Sequence, residues 1–209
     1  MTEPADSVRA ALAAMLERDR STRARLVDSG ALFVGYAPEM EAVHAENARE
    51  LEAILDVHGW PGITLAGRDG SIAAWTVALH AIGMPAFQRR CLALLARAVE
   101  EGEVPPAFTA MMEDRIRFNE RRPQRYGTIF DWDERGRLAP WTIEDPEGVD
   151  GRRAAVGLRP LEEELRKVRR APREKGDAPP RDPVARQLAI DEWARRTGWI
   201  RDEAGDARA

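Results

Sequence analysis

The chain has 209 residues with 32 basic and 36 acidic side chains, and its formal net charge of −4 does not indicate nucleic-acid binding. Its single cysteine, Cys91, excludes an internal disulfide framework and a cysteine-rich zinc site. No apolar run approaches the roughly 20 residues that a membrane-spanning helix requires, and no secretory signal is visible. The sequence therefore predicts a soluble, cytoplasmic protein without a membrane partner.

Apolar residues recur at helical spacing through most of the first 120 residues, which predicts a mainly α fold with five main helices. Gly59 and Pro61 end the second helix, because a left-handed cap is followed by a residue that cannot continue a helix. A turn is predicted over 62–70, after which Ser71 caps the third helix. The five predicted helices cover 6–28, 38–58, 71–80, 85–101 and 106–119.

The hydrophobic period changes after the fifth helix. Alternation over about 126–143, with a turn in its middle, predicts a two-stranded β-hairpin. Pro140 falls in the second strand, so its nitrogen is expected on an unpaired edge. Two short helices are predicted over 149–156 and 161–170. We therefore expect a helical domain over 1–170 that carries a small hairpin.

The C-terminal part of the chain has a different composition. Four prolines among charged residues mark 171–183 as a linker. A last helix and a tail are predicted over 184–209, with Leu188 and Trp193 as its apolar residues. We expect 171–209 to be removable without unfolding the domain. The last helix would pack either on its own domain or on a partner subunit, and the second arrangement would give self-association.

Three histidines raise the question of a metal site. His44 and His58 lie on one predicted helix 14 positions apart, which separates them by about 21 Å along the axis and prevents them from sharing an ion. The sequence therefore predicts no metal and no cofactor. His80 ends a helix just before a Gly83 break, where a histidine can reach a cavity, and it is the predicted proton carrier.

Three residues later in the chain are candidates for the same site as His80. Gln88 lies in the first turn of the next helix and would meet His80 if the chain turns back. Arg115 falls on an apolar helix face, where it is either half of an internal ion pair or a clamp for an anionic ligand. Asp114 is a second catalytic candidate, and the alternative is that it pairs with a basic neighbour.

The densest polar segment precedes the hairpin. Gln124, Tyr126 and Thr128 alternate, so in an extended segment their side chains project from one face. An amide, a phenol and a hydroxyl in a row can bind a polar ligand. They can equally satisfy buried backbone groups where a strand begins.

An ordered series of motifs runs through the chain, from His58-Gly59-Trp60-Pro61 to Gln124-Arg125-Tyr126-Gly127-Thr128, with Trp75, His80 and Asp114-Arg115 between them. This series resembles the domain-of-unknown-function family six-six-two-four over about residues 40–165. The family has no assigned activity, so the resemblance implies a shared domain and a shared set of polar residues. The first helix and the chain after about residue 165 are expected to be additions to it.

Two functional hypotheses follow, and the sequence leaves open whether the protein is an enzyme. In the first, a pocket binds a small polar or anionic molecule, with His80 and Asp114 as catalytic candidates. In the second, the protein is a non-catalytic interaction or structural module, and its polar residues form a buried hydrogen-bond network. The predicted ligand-binding residues are Gln88, Arg115, Gln124, Tyr126 and Thr128.

Overall fold

The computed structural model describes residues 3–33 and 35–201, which contain eight helices and one two-stranded hairpin. The prediction of a mainly α fold is confirmed. No helix within those ranges has the length and apolar character needed to cross a membrane. The elements are α1 (Glu3–Ser29), α2 (Pro38–His58), α3 (Ile63–His80), α4 (Pro85–Glu100), α5 (Pro106–Asn119), β1 (Phe130–Trp132), β2 (Leu138–Pro140), α6 (Val149–Ala155), α7 (Leu161–Arg170) and α8 (Pro183–Thr197).

Local sequence signals account for the bounds of α2. Pro38 begins the helix, where its missing N–H has no intrahelical partner to lose. Gly59 ends it with a φ of 69°, and its N–H donates to the carbonyl of Leu55 at 3.0 Å. The residues between them keep one face apolar, so the predicted helix over 38–58 is confirmed.

Helix α3 begins earlier than the sequence predicts. It starts at Ile63 and kinks at Gly67, so the predicted turn over 62–70 is wrong. The reason is a long-range cap, because the carboxylate of Glu103 accepts hydrogen bonds from the Thr64 N–H at 2.8 Å and from its hydroxyl. The carbonyl of Glu103 also accepts from the Ile63 N–H at 3.1 Å. The start of α3 cannot be predicted from the local sequence, because the residue that caps it lies about 40 positions later in the chain.

The packing of α1 against α2 and α3 positions the site described below. The face of α3 toward the core consists of small residues, including Ala66, Ala74 and Ala78. A side chain added at Gly70 would place its Cβ 2.8 Å from that of Ala66 and 3.6 Å from the Cδ1 of Leu12. These small residues therefore let α1 lie close against α3.

The hairpin is antiparallel, with Phe130 opposite Pro140 and Trp132 opposite Leu138, which confirms the prediction of a two-stranded hairpin. Both strands are shorter than the predicted range of 126–143. The polar residues from Gln124 to Thr128 thus precede β1, in an irregular segment.

Helix α8 packs on the helical domain. Ala194 and Trp199 are 0% and 4% exposed and belong to the main hydrophobic core. The indole N–H of Trp199 donates to the carbonyl of Ile82 at 2.6 Å. Val184 and Leu188, on another side of α8, are exposed. The removal of 171–209 without unfolding, and self-association through α8, stay predictions.

Candidate functional site

One carboxylate interrupts the buried face of α1. Val8, Leu12 and Met15 are buried at spacings of four and three, and Asp19 continues the series four positions later. Asp19 is 2% exposed. A buried carboxylate requires partners, since an isolated charge in the core is very costly. Asp19 is not among the site residues predicted from the sequence, although its place in the apolar series of α1 is the signal that marks it.

Two imidazoles from different helices contact this carboxylate. The Nε2 atom of His44, from α2, lies 3.1 Å from Asp19 Oδ2, and the Nδ1 atom of His80, from the end of α3, lies 2.8 Å from the same oxygen. The two ring centroids are 5.2 Å apart. We call these three side chains, Asp19, His44 and His80, the His–Asp site. Their ligand atoms all lie within 4.8 Å of one another.

The two histidines differ in their access to solvent. The side chain of His44 is 12% exposed, whereas that of His80 is 35% exposed. The Nε2 atom of His44 is buried and makes no well-aligned hydrogen bond, despite its short distance to Asp19. His80 is therefore the member of the His–Asp site that is most accessible to solvent.

Aromatic residues form the side of the site next to His44. The hydroxyl of Tyr36 lies 2.8 Å from His44 Nδ1, and the two rings stack with centroids 5.8 Å apart. Trp193, from α8, meets the ring of Tyr36 edge-on at 6.0 Å. The orientation of His44 is thus fixed from the edge opposite Asp19, and α8 supports the residue that fixes it.

The electrostatics keep Asp19 ionised and Tyr36 neutral. Burial by itself raises the pKa of Asp19, but the short contact with His44, the hydrogen bond with His80 and the charge interactions with both rings outweigh it and hold that pKa well below its usual range. Burial raises the pKa of Tyr36, and the nearby charges of Glu41 and Asp19 act in the same direction. The site therefore combines a permanent buried carboxylate with a phenol that keeps its proton.

Gln88 supports the helix end that carries His80. Its side chain is buried and donates from Nε2 to the carbonyls of Ala78 at 2.8 Å and Leu79 at 2.9 Å. These carbonyls belong to the last turn of α3, which has no intrahelical donors for them. Gln88 thus contacts the backbone of the two residues that precede His80, and its role as a ligand-binding residue stays a prediction.

Asp114 is the centre of a second polar group. Its Oδ1 accepts from the backbone N–H of Arg125 at 2.7 Å and of Tyr126 at 3.1 Å. Its Oδ2 accepts from both the N–H and the hydroxyl of Thr128 at 3.0 Å. Asp114 is 0% exposed, so these donors take up its capacity to accept. We call Asp114 and the segment 124–128 the anchored loop.

Two further side chains fix the anchored loop. Gln124 donates to the carbonyls of Ile129 at 3.0 Å and Trp141 at 2.9 Å, and its Oε1 accepts from the Ile129 N–H. Arg153, 2% exposed, donates to the carbonyl of Tyr126 at 2.6 Å. The Gln124 amide and the Arg153 guanidinium therefore form hydrogen bonds with backbone groups. For Gln124, this corresponds to the alternative in which the polar residues satisfy buried backbone groups at the start of the strand.

Two of the predicted ligand-binding residues and the single cysteine have side chains in other surroundings. Arg115 makes no hydrogen bond or ion pair with the described residues, and burial lowers its pKa. The ring of Tyr126 is half-buried and lies under the guanidinium of Arg125, 5.7 Å from its centroid. Cys91 is fully buried, and burial raises the pKa of its thiol to about 12, so it is a poor nucleophile at neutral pH.

The predicted site residues thus fall into two groups that share no side chain. His80 belongs to the His–Asp site, with Gln88 behind it, whereas Asp114, Gln124, Tyr126 and Thr128 belong to the anchored loop. The sequence argument against a metal compared His44 with His58. The structure pairs His44 with His80, a combination that distance along one helix does not address.

The fold and the two polar groups define a helical domain with a small hairpin and one buried His–Asp site. The chain belongs to Family of unknown function (DUF6624), whose model matches residues 6–175. The match begins in α1, earlier than the residue 40 expected from the motifs, and it includes Asp19, His44 and His80. It ends before α8. No curated protein and no solved structure matches the chain.

Proposed function

We propose that the protein binds a small polar ligand at the His–Asp site. The observation that carries this proposal is that one oxygen of a buried carboxylate contacts two imidazoles, while the ring of His80 is 35% exposed. Buried polar groups with few partners are costly for stability alone. They are common where a cleft must hold a polar molecule in a fixed orientation.

His80 is the residue that would contact the ligand. Asp19 holds its Nδ1 edge, so the Nε2 edge is directed away from the carboxylate, and it forms no hydrogen bond with a described residue. A carboxylate on one imidazole nitrogen fixes the ring and its tautomer, which leaves the other nitrogen for hydrogen bonding and proton transfer. This is the role of proton carrier that the sequence suggested for His80.

A structural role is the second candidate, and it is favoured for the anchored loop. Asp114 has its lone pairs occupied by backbone and hydroxyl donors, and Gln124 uses both ends of its amide within the chain. Groups satisfied in this way hold the hairpin on the helices and have little capacity left for a ligand. We therefore place ligand binding at the His–Asp site and structural work at the anchored loop.

A thermal-stability screen of small polar and anionic molecules, including organic carboxylates, amino acids and phosphate esters, tests the proposal. A ligand that binds only the folded protein raises the melting temperature with its concentration. We expect the shift to vanish in His80→Ala and to persist in His58→Ala, a matched control because His58 is exposed at the end of α2. A shift that survives His80→Ala and disappears in Tyr126→Phe would contradict the proposal.

A further inference from the structure

We propose that the His–Asp site binds one divalent transition-metal ion, of which zinc is the test case, through the Asp19 carboxylate, His44 Nε2 and His80 Nδ1. This inference rests on the proposed function, because it identifies the chemical class of one ligand of the same site. It also reverses the expectation of no metal that the spacing of His44 and His58 produced.

The distances agree with one ion between the three side chains. Zinc binds imidazole nitrogen at about 2.0–2.1 Å and carboxylate oxygen at about 2.0–2.2 Å, so two ligand atoms of one tetrahedral ion lie about 3.3–3.5 Å apart. Asp19 Oδ2 lies 3.1 Å from His44 Nε2 and 2.8 Å from His80 Nδ1, and the whole set lies within 4.8 Å. To admit the ion, the Asp19 oxygen would move away from both imidazoles by about half an ångström, and the two imidazole nitrogens, which lie within 4.8 Å of each other, would be drawn together.

The hydrogen bond on the far nitrogen of His44 provides an independent observation. A histidine that binds a metal through one nitrogen usually donates a hydrogen bond from the other, which fixes the ring. In His44 the Nε2 atom is buried without an aligned partner, while Nδ1 lies 2.8 Å from the Tyr36 hydroxyl. The hydroxyl oxygen of Tyr36 can accept a hydrogen bond from Nδ1–H of His44, and in that tautomer the Nε2 lone pair is directed toward Asp19.

Charge also favours a cation. With both imidazoles neutral, the His–Asp site carries one uncompensated negative charge from Asp19, whose short contacts are with those same imidazoles. A divalent ion would compensate the buried charge of Asp19 and change the net charge of the site from one negative to one positive charge. An anionic ligand would then be attracted to a place where the buried carboxylate alone would repel it.

The number of ligands suggests a site open to solutes. Three protein ligands that leave one or more positions free are typical of catalytic zinc sites, whereas structural sites usually have four. The three ligands come from three helices, and the ring of His80 is the accessible side of the set. A water molecule or an oxygen of the polar ligand would occupy the free position.

Isothermal titration of metal-free protein with zinc chloride tests the inference. We expect about one ion per wild-type chain, and an affinity at least about tenfold lower in Asp19→Asn and in His44→Ala. Tyr36→Phe should weaken binding by about tenfold or more while it leaves the three ligands in place. His58→Ala should bind as the wild type does. Circular dichroism melting of each variant confirms that the compared proteins are folded.

Cobalt(II) provides a spectroscopic measurement that a purely structural role of Asp19 would not produce. Cobalt bound by this mixed nitrogen and oxygen set should give visible absorption bands in the wild type, and Asp19→Asn should lose or shift them. Absence of zinc binding by the folded wild type, or equal zinc affinity in wild type, Asp19→Asn and His44→Ala, would overturn the inference.

The same samples separate this inference from the proposed function. A His80-dependent shift with an organic ligand that persists in excess chelator, together with absent zinc binding, would leave the proposed function standing and refute the metal. One zinc per chain that depends on Asp19 and His44, with no organic ligand that depends on His80, would support the metal and refute the wider ligand site.

Discussion

Two aspartates lie in the interior of this protein, and their surroundings differ. Asp114 is 0% exposed and accepts hydrogen bonds from three backbone N–H groups and a hydroxyl through both of its oxygens. Asp19 is 2% exposed, and its Oδ2 contacts two imidazoles. The two aspartates are therefore about equally buried, but they differ in the number and the kind of groups that contact their oxygens.

The difference separates stability from binding. A carboxylate surrounded by backbone donors fixes the path of the chain, and its removal leaves several buried N–H groups without an acceptor. A carboxylate shared by two imidazoles is held by groups that can exchange a proton or bind a metal. We therefore assign Asp114 to the stability of the hairpin and Asp19 to the function of the His–Asp site.

The largest expected effect is that of Asp114→Ala. It would leave the N–H groups of Arg125, Tyr126 and Thr128 unsatisfied, and we expect the free energy of unfolding to fall by about 3–5 kcal/mol. Urea denaturation followed by circular dichroism measures this. Glu113→Ala is the matched control, because the side chain of Glu113 is partly exposed and its loss should cost about 1 kcal/mol or less. Similar losses in both variants would refute the assignment.

A smaller effect is expected where the anchored loop passes close to α7. Gly127 has a φ of 64°, and an added Cβ would lie 2.9 Å from the Cδ1 of Leu161. Gly127→Ala should therefore lower the free energy of unfolding by more than the roughly 1–2 kcal/mol of a left-handed alanine. Gly102→Ala isolates that backbone cost, because Gly102 has a φ of 74° with nothing within 4 Å of an added Cβ. Equal urea midpoints for the two variants would exclude the close approach.

The smallest stability effect is expected for Asp19→Asn. The substitution keeps the size of the side chain and removes a buried charge, whose desolvation offsets much of what its pairing contributes. We expect the free energy of unfolding to fall by about 1–2 kcal/mol, because the lowered pKa of Asp19 means that its ionised form contributes to stability near neutral pH. If urea denaturation shows a loss of unfolding free energy as large as that of Asp114→Ala, then Asp19 serves mainly to hold the helices together.

Much of the fold was predictable because its signals are local. Pro38 and Gly59 bound α2 in both the sequence and the structure, and the change to an alternating pattern located the hairpin. The start of α3 was not predictable in the same way. Its first turn is capped by Glu103 from a distant segment, and Gly67 within the helix favours a turn when the local sequence alone is considered.

The candidate site was predictable only in part. His80 stood out as a titratable residue at a helix break, but its partner Asp19 lies 61 positions earlier. The apolar series of α1 marked Asp19, yet only the close packing of α1, α2 and α3 brings it to His44 and His80. For Asp114 the sequence favoured a basic neighbour, whereas its partners are backbone donors of the anchored loop, which no side-chain pattern encodes.

The most direct test measures two properties of two variants: the free energy of unfolding in urea and the zinc affinity of the folded protein, for Asp114→Asn and Asp19→Asn. The account predicts a crossed result. Asp114→Asn should lose stability and keep the wild-type zinc affinity, because only its partners in the anchored loop are disturbed. Asp19→Asn should keep most of its stability and bind zinc at least about tenfold more weakly. Loss of the same property in both variants, or the reverse pattern, would contradict the division between a structural and a functional aspartate.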